Sequence, residues 1–185
     1  MKKLLTYLGF GLGILIALFV VLVVLAPTAL TITCTSVIQQ DQQTVFDHLR
    51  SMAQFPRWSP WRVQDPEQRY TLSGTDGEIG ATFSWQGVAE ESVGHQTITE
   101  LTGNSGLTIA CVIEKPFPSN PEYRYALRAV PGGTEVTQTF STHLGRPTNA
   151  IAVLIGPEGE IRSTNQLGLA RLAQLVETGS AGAAK

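Results

Sequence analysis

Phe55-Pro56-Arg57-Trp58-Ser59-Pro60-Trp61 packs two of the chain's three tryptophans and two of its ten prolines into seven residues. Proline fixes φ, removes a backbone donor and pushes the residue before it out of the helical region. The spacing therefore predicts Phe55 and Ser59 to be extended or turn-like, with no regular helix through the segment. Two indoles, each a large apolar body with one N–H, are then held on a stiff loop. Such a loop either plugs the end of a core or rims a cavity, and its flanks decide which.

Upstream, Gln39 to Gln43 is polar, and Asp41 is placed to cap a short helix that runs to Arg50 with Val45, Phe46 and Leu49 on one face. Before it, Ala29 to Ile38 is rich in Thr, Val and Ile with rough alternation, the pattern of a strand. Earlier still, Leu4 to Ala26 is a run of 23 residues without a charge. A membrane-crossing helix needs ~20 such residues, whereas the apolar part of a cleaved signal is ~7–15. Cleavage after Ala26 would place Pro27 directly downstream, and cleavage after Ala29 would leave Pro27 upstream. Cys34 lacks the residues that precede a lipoprotein cysteine. The run reads as an uncleaved signal anchor.

After Lys2 and Lys3 no Lys or Arg follows until Arg50, so the positive-inside rule keeps the N-terminus cytoplasmic. The globular part then lies on the far, periplasmic or extracytoplasmic, side of the membrane. Gly9 and Gly13 form a GxxxG that suits a weak homodimer of such helices.

Downstream of Trp61 the chain breaks into short strands separated by glycine. Tyr70–Ser73 precedes a Gly74–Gly77 turn, and Ile79, Ala81, Phe83 and Trp85 then share one face of the next strand. Val93–Leu101 follows. Leu107, Ile109, Cys111 and Ile113 alternate within Leu107–Glu114, and Pro116–Pro121 is a proline-rich connection. Glu122–Val130 sets Tyr123, Tyr125 and Leu127 on one face. Pro131-Gly132-Gly133 is a tight turn, and Thr134–Thr142 places Val136, Gln138 and Phe140 together. After Pro147 the period becomes helical. Asn149–Ile155 is apolar, Gly156-Pro157 interrupts it, and Glu158–Glu177 is amphipathic with a stripe of Ile161, Leu169, Leu172, Leu175 and Val176.

Composition excludes several classes. Of 13 basic residues, 11 remain once Lys2 and Lys3 are set aside, against 15 acidic ones, so the globular part is acidic at −4 and unsuited to nucleic acid. Two cysteines, Cys34 and Cys111, without a CxxC leave no cysteine zinc site; they read as buried thiols, with a single bridge the alternative. His48, His95 and His143 show no HxH or HExxH spacing, so no metal or cofactor is expected. No nucleophile elbow or phosphate loop appears. Acid–base chemistry would draw on His95, Glu90, Glu100, Glu114 or Gln138, and His95, sharing the parity of Val93 and Thr97, is expected to face inward.

The order of elements, with Phe55–Trp61, Gly80 through Phe83-Ser-Trp85-Gln-Gly87, Gly133-Thr134-Glu135-Val136-Thr137 and Gly168-Leu169-Ala170-Arg171-Leu172, resembles the START-like, or SRPBCC, superfamily. More narrowly it resembles the polyketide cyclase/dehydrase-type branch with an N-terminal anchor. The resemblance implies an α+β helix-grip fold, a curved seven-stranded antiparallel sheet around a long C-terminal helix, preceded here by one transmembrane helix. Residues 1–28 would be the anchor, 29–178 the START-like domain and 179–185 a flexible tail. The resemblance also implies a cavity for a hydrophobic or amphipathic small molecule, a lipid, isoprenoid or polyketide-like compound. Trp58, Trp61, Phe83, Trp85, Tyr123, Tyr125 and Phe140 are the candidates to line it. The alternatives are an interaction or envelope-maintenance module with a filled core, and a cyclase or dehydratase-type enzyme.

Overall fold

A computed structural model describes residues 2–61, 65–88 and 91–183. These form two compact units, one made of Met1–Leu30 with His143–Pro157 and the other of Thr31–Thr142 with Glu158–Lys185.

In the larger unit, seven strands make one antiparallel sheet: β1 (Ala29–Ile38), β2 (Arg69–Ser73), β3 (Thr82–Gln86), β4 (Val93–Thr102), β5 (Gly106–Lys115), β6 (Glu122–Val130) and β7 (Gly133–His143). Their order is β1-β7-β6-β5-β4-β3-β2, a meander whose last strand returns beside the first. Register places Phe83 opposite Gln96 and Gln96 opposite Cys111. Ile109 lies opposite Tyr123, Tyr123 opposite Phe140, and Tyr125 opposite Gln138. Because strand side chains alternate between faces, these residues form one continuous inner face. Gly133 makes the tight turn into β7: its φ is 151°, and a Cβ there would collide with the carbonyl of Ile38.

Between β1 and β2 the chain forms α2 (Gln42–Arg50) and a single turn, α3 (Phe55–Trp58). Asp41 caps α2 as its side-chain position suggests, accepting from the Thr44 amide at 3.0 Å and the Thr44 hydroxyl at 2.6 Å. Val45, Phe46 and Leu49 are its buried face. The turn α3 departs from the extended conformation expected for Phe55. The proline falls in the first turn of the helix, where its missing N–H removes no intrahelical bond. Ser59, ahead of Pro60, does leave the helix, at φ −54° and ψ 125°.

The inner face is covered by α5 (Glu158–Ala183). Leu169, Leu172 and Val176 are fully buried along it, with Ile161 and Leu175 half-buried. The helix continues through Gly179 to Ala183, past the start of the tail expected at 179; positions 184 and 185 lie outside the described residues. Ile79 also departs from its expected place: β3 begins at Thr82, and Ile79 is exposed in the turn before it. Cys34 and Cys111 are both buried and free.

In the smaller unit, α1 (Lys2–Leu25) contains a stretch from Thr6 to Leu25 that is long and apolar enough to cross a membrane, with none of its apolar window buried. Gly9 and Gly13 face open space. The second helix of this unit is α4 (Thr148–Ile155), ended by Gly156 in the left-handed conformation at φ 62°.

Candidate functional site

Between the inner sheet face, α3 and α5 lies a cavity of about 350 Å³, within the larger unit. The volume falls inside the range of ~300–1,000 Å³ typical of small-molecule sites. Each wall follows from the local sequence. On α3, Pro56 tightens the turn so that Trp58 points inward and is 3% exposed, with Phe55 edge-on to it at 4.9 Å. Phe55 also meets Phe83 of β3 edge-on at 5.1 Å, and Phe83 stacks with Trp85 at 6.4 Å. Trp85 can lie over its neighbour strand because position 94 is glycine: a Cβ there would fall 2.5 Å from the indole. Its own N–H donates to the Ser92 hydroxyl at 3.1 Å. Gly168 on α5 serves the same purpose for the loop, since a Cβ there would sit 3.3 Å from Pro60 Cδ. Arg171 donates to the carbonyl of Arg57 at 3.1 Å and ties loop to helix.

Of the seven aromatic candidates, Trp58, Trp61, Phe83, Trp85, Tyr123 and Tyr125 stand in the cavity wall. Phe140 does not line it; it is buried and packs edge-on against Tyr123 at 5.3 Å. Trp61 is 46% exposed and Phe117, also in the wall, is 82% exposed, so these two mark the mouth.

Apart from Lys115, the polar part of the wall consists of groups that carry no charge. Gln138 donates to the Tyr125 hydroxyl at 3.0 Å, while its own carbonyl oxygen has no partner. Asn165 Nδ2 and Trp58 Nε1 are likewise buried without a partner. An unmade hydrogen bond of this kind costs about 1–3 kcal/mol, so three at one cavity call for water or a ligand to complete them. Gln96 reaches only the weak acceptor Met52 Sδ, at 3.7 Å. Burial pushes the Cys111 thiol up to about 12. The Tyr123 phenol is raised above the ordinary tyrosine range by burial first, then by Cys111 and Tyr125. Burial also raises Tyr125, offset in part by the Gln138 hydrogen bond. All three are neutral at physiological pH.

Of the proposed acid–base groups, Gln138 stands in the cavity wall, while His95, Glu100 and Glu114 do not line it. His95 is on the outer face of β4, opposite in parity to the buried Gly94, Gln96 and Ile98, and its Nδ1 is 4.0 Å from the exposed Glu114. The expected inward parity is thus reversed, because Gln96 occupies the core-facing register. Glu100 is exposed and accepts from the Thr108 hydroxyl at 3.1 Å. Glu90 lies outside the described residues. Among the described lining residues there is no carboxylate or imidazole; Lys115 is the cation.

Sequence reading missed Gln96, Asn165, Lys115 and Phe117. A signal existed for two of them. Asn165 interrupts the apolar stripe of α5 one turn after Ile161, and Gln96 interrupts an inner strand face between Gly94 and Ile98. Polar residues at core-facing positions without core partners mark a space rather than a packed layer.

No protein-family model matches the chain, and no curated protein does. Solved structures do. A protein from Rhizobium leguminosarum is similar at a TM-score of 0.63 and 15% identity, over 81% of this chain and 95% of that one. Ara h 8.0201 is similar at 0.58 and 12%, over 81% and 99%. The Aha1 protein from Colwellia psychrerythraea is similar at 0.55 and 16%, over 81% and 98%. At such identities the likeness concerns the fold alone, and the chain has the helix-grip fold: a seven-stranded antiparallel sheet closed by a C-terminal helix.

Proposed function

We propose that this protein is a membrane-anchored domain that holds a small hydrophobic or amphipathic molecule in the cavity between sheet and C-terminal helix. The observation that carries the reading is the cavity of about 350 Å³, walled by aromatic rings and edged by three buried polar atoms without partners. Apolar burial supplies affinity, and a few fixed polar groups orient the guest. Trp58 Nε1 and Asn165 Nδ2 are donors and Gln138 Oε1 an acceptor, which suits an uncharged oxygen-bearing group such as a hydroxyl or carbonyl. The volume of about 350 Å³ lies at the small end of the usual range for such sites, which suits a single chain or small ring system better than a two-chain lipid. An isoprenoid, a single-chain lipid or a polyketide-like compound meets these terms. The same space weighs against an interaction module with a filled core.

The anchor part of the reading rests on the Thr6–Leu25 stretch, whose 20 residues span ~30 Å as a helix, the thickness of a bilayer's hydrocarbon core. Lys2 and Lys3 favour a cytoplasmic N-terminus.

The test is native mass spectrometry of the full chain after gentle extraction, with anilinonaphthalene sulfonate and a fluorescent fatty acid as probes. A saturable probe site, lost in Ile109→Trp while the fold persists, is the expected result. A folded wild-type protein that carries no small molecule and binds neither probe saturably ends the proposal.

A further inference from the structure

The smaller unit holds a feature the cavity does not explain. The end of a helix leaves its last four carbonyls without intrahelical partners. In α1 the Leu22 carbonyl is met locally by the Ala26 amide, while the carbonyls of Val23 and Val24, and those of Ala26 and Thr28 just beyond the helix, are met by one short segment of chain more than a hundred residues later. Asn149 Nδ2 donates to the carbonyls of Val23 and Ala26, each at 3.0 Å. Arg146 donates to the Val24 carbonyl at 3.3 Å, and the Leu144 amide to the Thr28 carbonyl at 2.7 Å. Asn149 and Ala150 are fully buried against this end. The first turn of α4 therefore acts as the C-cap of α1, with Arg146 adding a cation where the helix dipole is negative.

Past that turn α4 has no polar residue. Ile151, Val153, Leu154 and Ile155 follow, and all four are exposed, Leu154 to 68% and Ile155 to 70%. A helix that is apolar all round is stable only where its whole surface is buried or in lipid. Its eight residues span ~12 Å, so every part lies within that distance of the point where the apolar run of α1 ends. The segment from His143 to Pro157 contains a histidine and an arginine and no acidic residue.

We infer that α4 is a membrane-interface helix, seated by Asn149 and Arg146 on the end of the spanning helix so that Ile151, Val153, Leu154 and Ile155 enter the lipid at the headgroup–acyl boundary. The inference rests on α1 crossing the bilayer. The occupant of the exposed face is lipid because the face is continuous with the end of a segment already suited to hydrocarbon, and because Arg146, bound to that end, is a cation of the kind that pairs with phospholipid headgroups. The unit would then grip the membrane by one helix through it and one along it.

The test uses the full chain in phosphatidylcholine–phosphatidylglycerol vesicles, spin-labelled singly at Leu15→Cys, Leu154→Cys or Ile155→Cys under conditions that leave the buried Cys34 and Cys111 unlabelled. Relaxation by oxygen, which concentrates in lipid, is compared with relaxation by a water-soluble nickel chelate. Expected is oxygen dominance at position 15 and a smaller but clear oxygen excess at 154 and 155. Nickel dominance at 154 and 155 with position 15 in lipid overturns the inference and leaves the anchor standing. Nickel dominance at position 15 removes the anchor reading and this inference with it. Labels at 154 shielded from both agents and broadened by each other would show a second copy on this face, and would equally overturn a lipid seat.

Discussion

Trp58 and Trp61 are three residues apart and have different work to do. Trp58 is 3% exposed and packed edge-on against Phe55 in the cavity wall, whereas Trp61 keeps nearly half its surface in water at the cavity mouth. Trp58→Ala is therefore expected to lower unfolding free energy by about 3–5 kcal/mol, the usual cost of a large buried aromatic. Trp61→Ala should change it by less than ~1 kcal/mol and instead weaken probe binding. Urea unfolding beside fluorescence titration separates the two, and equal destabilisation of both would mean the loop is simply a plug. A second residue-level expectation concerns alkali. Cys111, Tyr123 and Tyr125 have folded-state pKa values raised by burial. Above the ordinary thiol value of ~8.5 and phenol value of ~10, the unfolded chain releases protons that the folded chain keeps. Stability is thus full below that window and falls as pH rises through it. The urea midpoint should drop steadily from about pH 8.5, and two of the four tyrosines should ionise only on unfolding.

Element by element, the inner face departs from a packed layer where polar residues stand on core-facing positions. On α5, Asn165 sits on the buried side between Ile161 and Leu169, its Nδ2 unpaired. Replacing it with Leu removes an unsatisfied donor and extends the apolar stripe. Asn165→Leu is expected to raise the urea midpoint while weakening guests that present a carbonyl or hydroxyl, a trade of binding for stability common at functional sites. A fall in both stability and binding would show that Asn165 is instead a structural hydrogen-bonding residue. The elements themselves were largely legible. Asp41 and the spacing of Val45, Phe46 and Leu49 specify α2, and strict alternation specifies β5, β6 and β7, because capping and period are local properties. The Phe55–Trp58 turn was not legible, since proline is compatible with both a loop and a helix's first turn. His95 was placed on the wrong face because its strand offers two weakly apolar sides, and one residue of register decides which is buried.

For the whole molecule, a guest that binds the folded chain and not the unfolded one stabilises it by mass action. A probe present at a hundredfold its dissociation constant should add about 2.7 kcal/mol to the unfolding free energy. Chemical denaturation at rising anilinonaphthalene sulfonate checks this, and a midpoint that ignores the probe would place binding outside the cavity. What the amino-acid order determined by itself was the local and the periodic: an apolar helix from Leu4, a capped short helix, a run of alternating strands and an amphipathic C-terminal helix, whose resemblance to the START-like superfamily implied the helix-grip fold. What only the tertiary structure decided was how those pieces meet. The space left between sheet and α5 is a difference of packed volumes, and no single residue encodes it. Asn149 reads as one polar residue ahead of an apolar run until the end of α1 is brought against it. Phe55–Trp61 announced two indoles on a stiff turn. That one became wall and the other rim follows from Gly168 letting Pro60 close onto α5, a contact between residues more than a hundred positions apart.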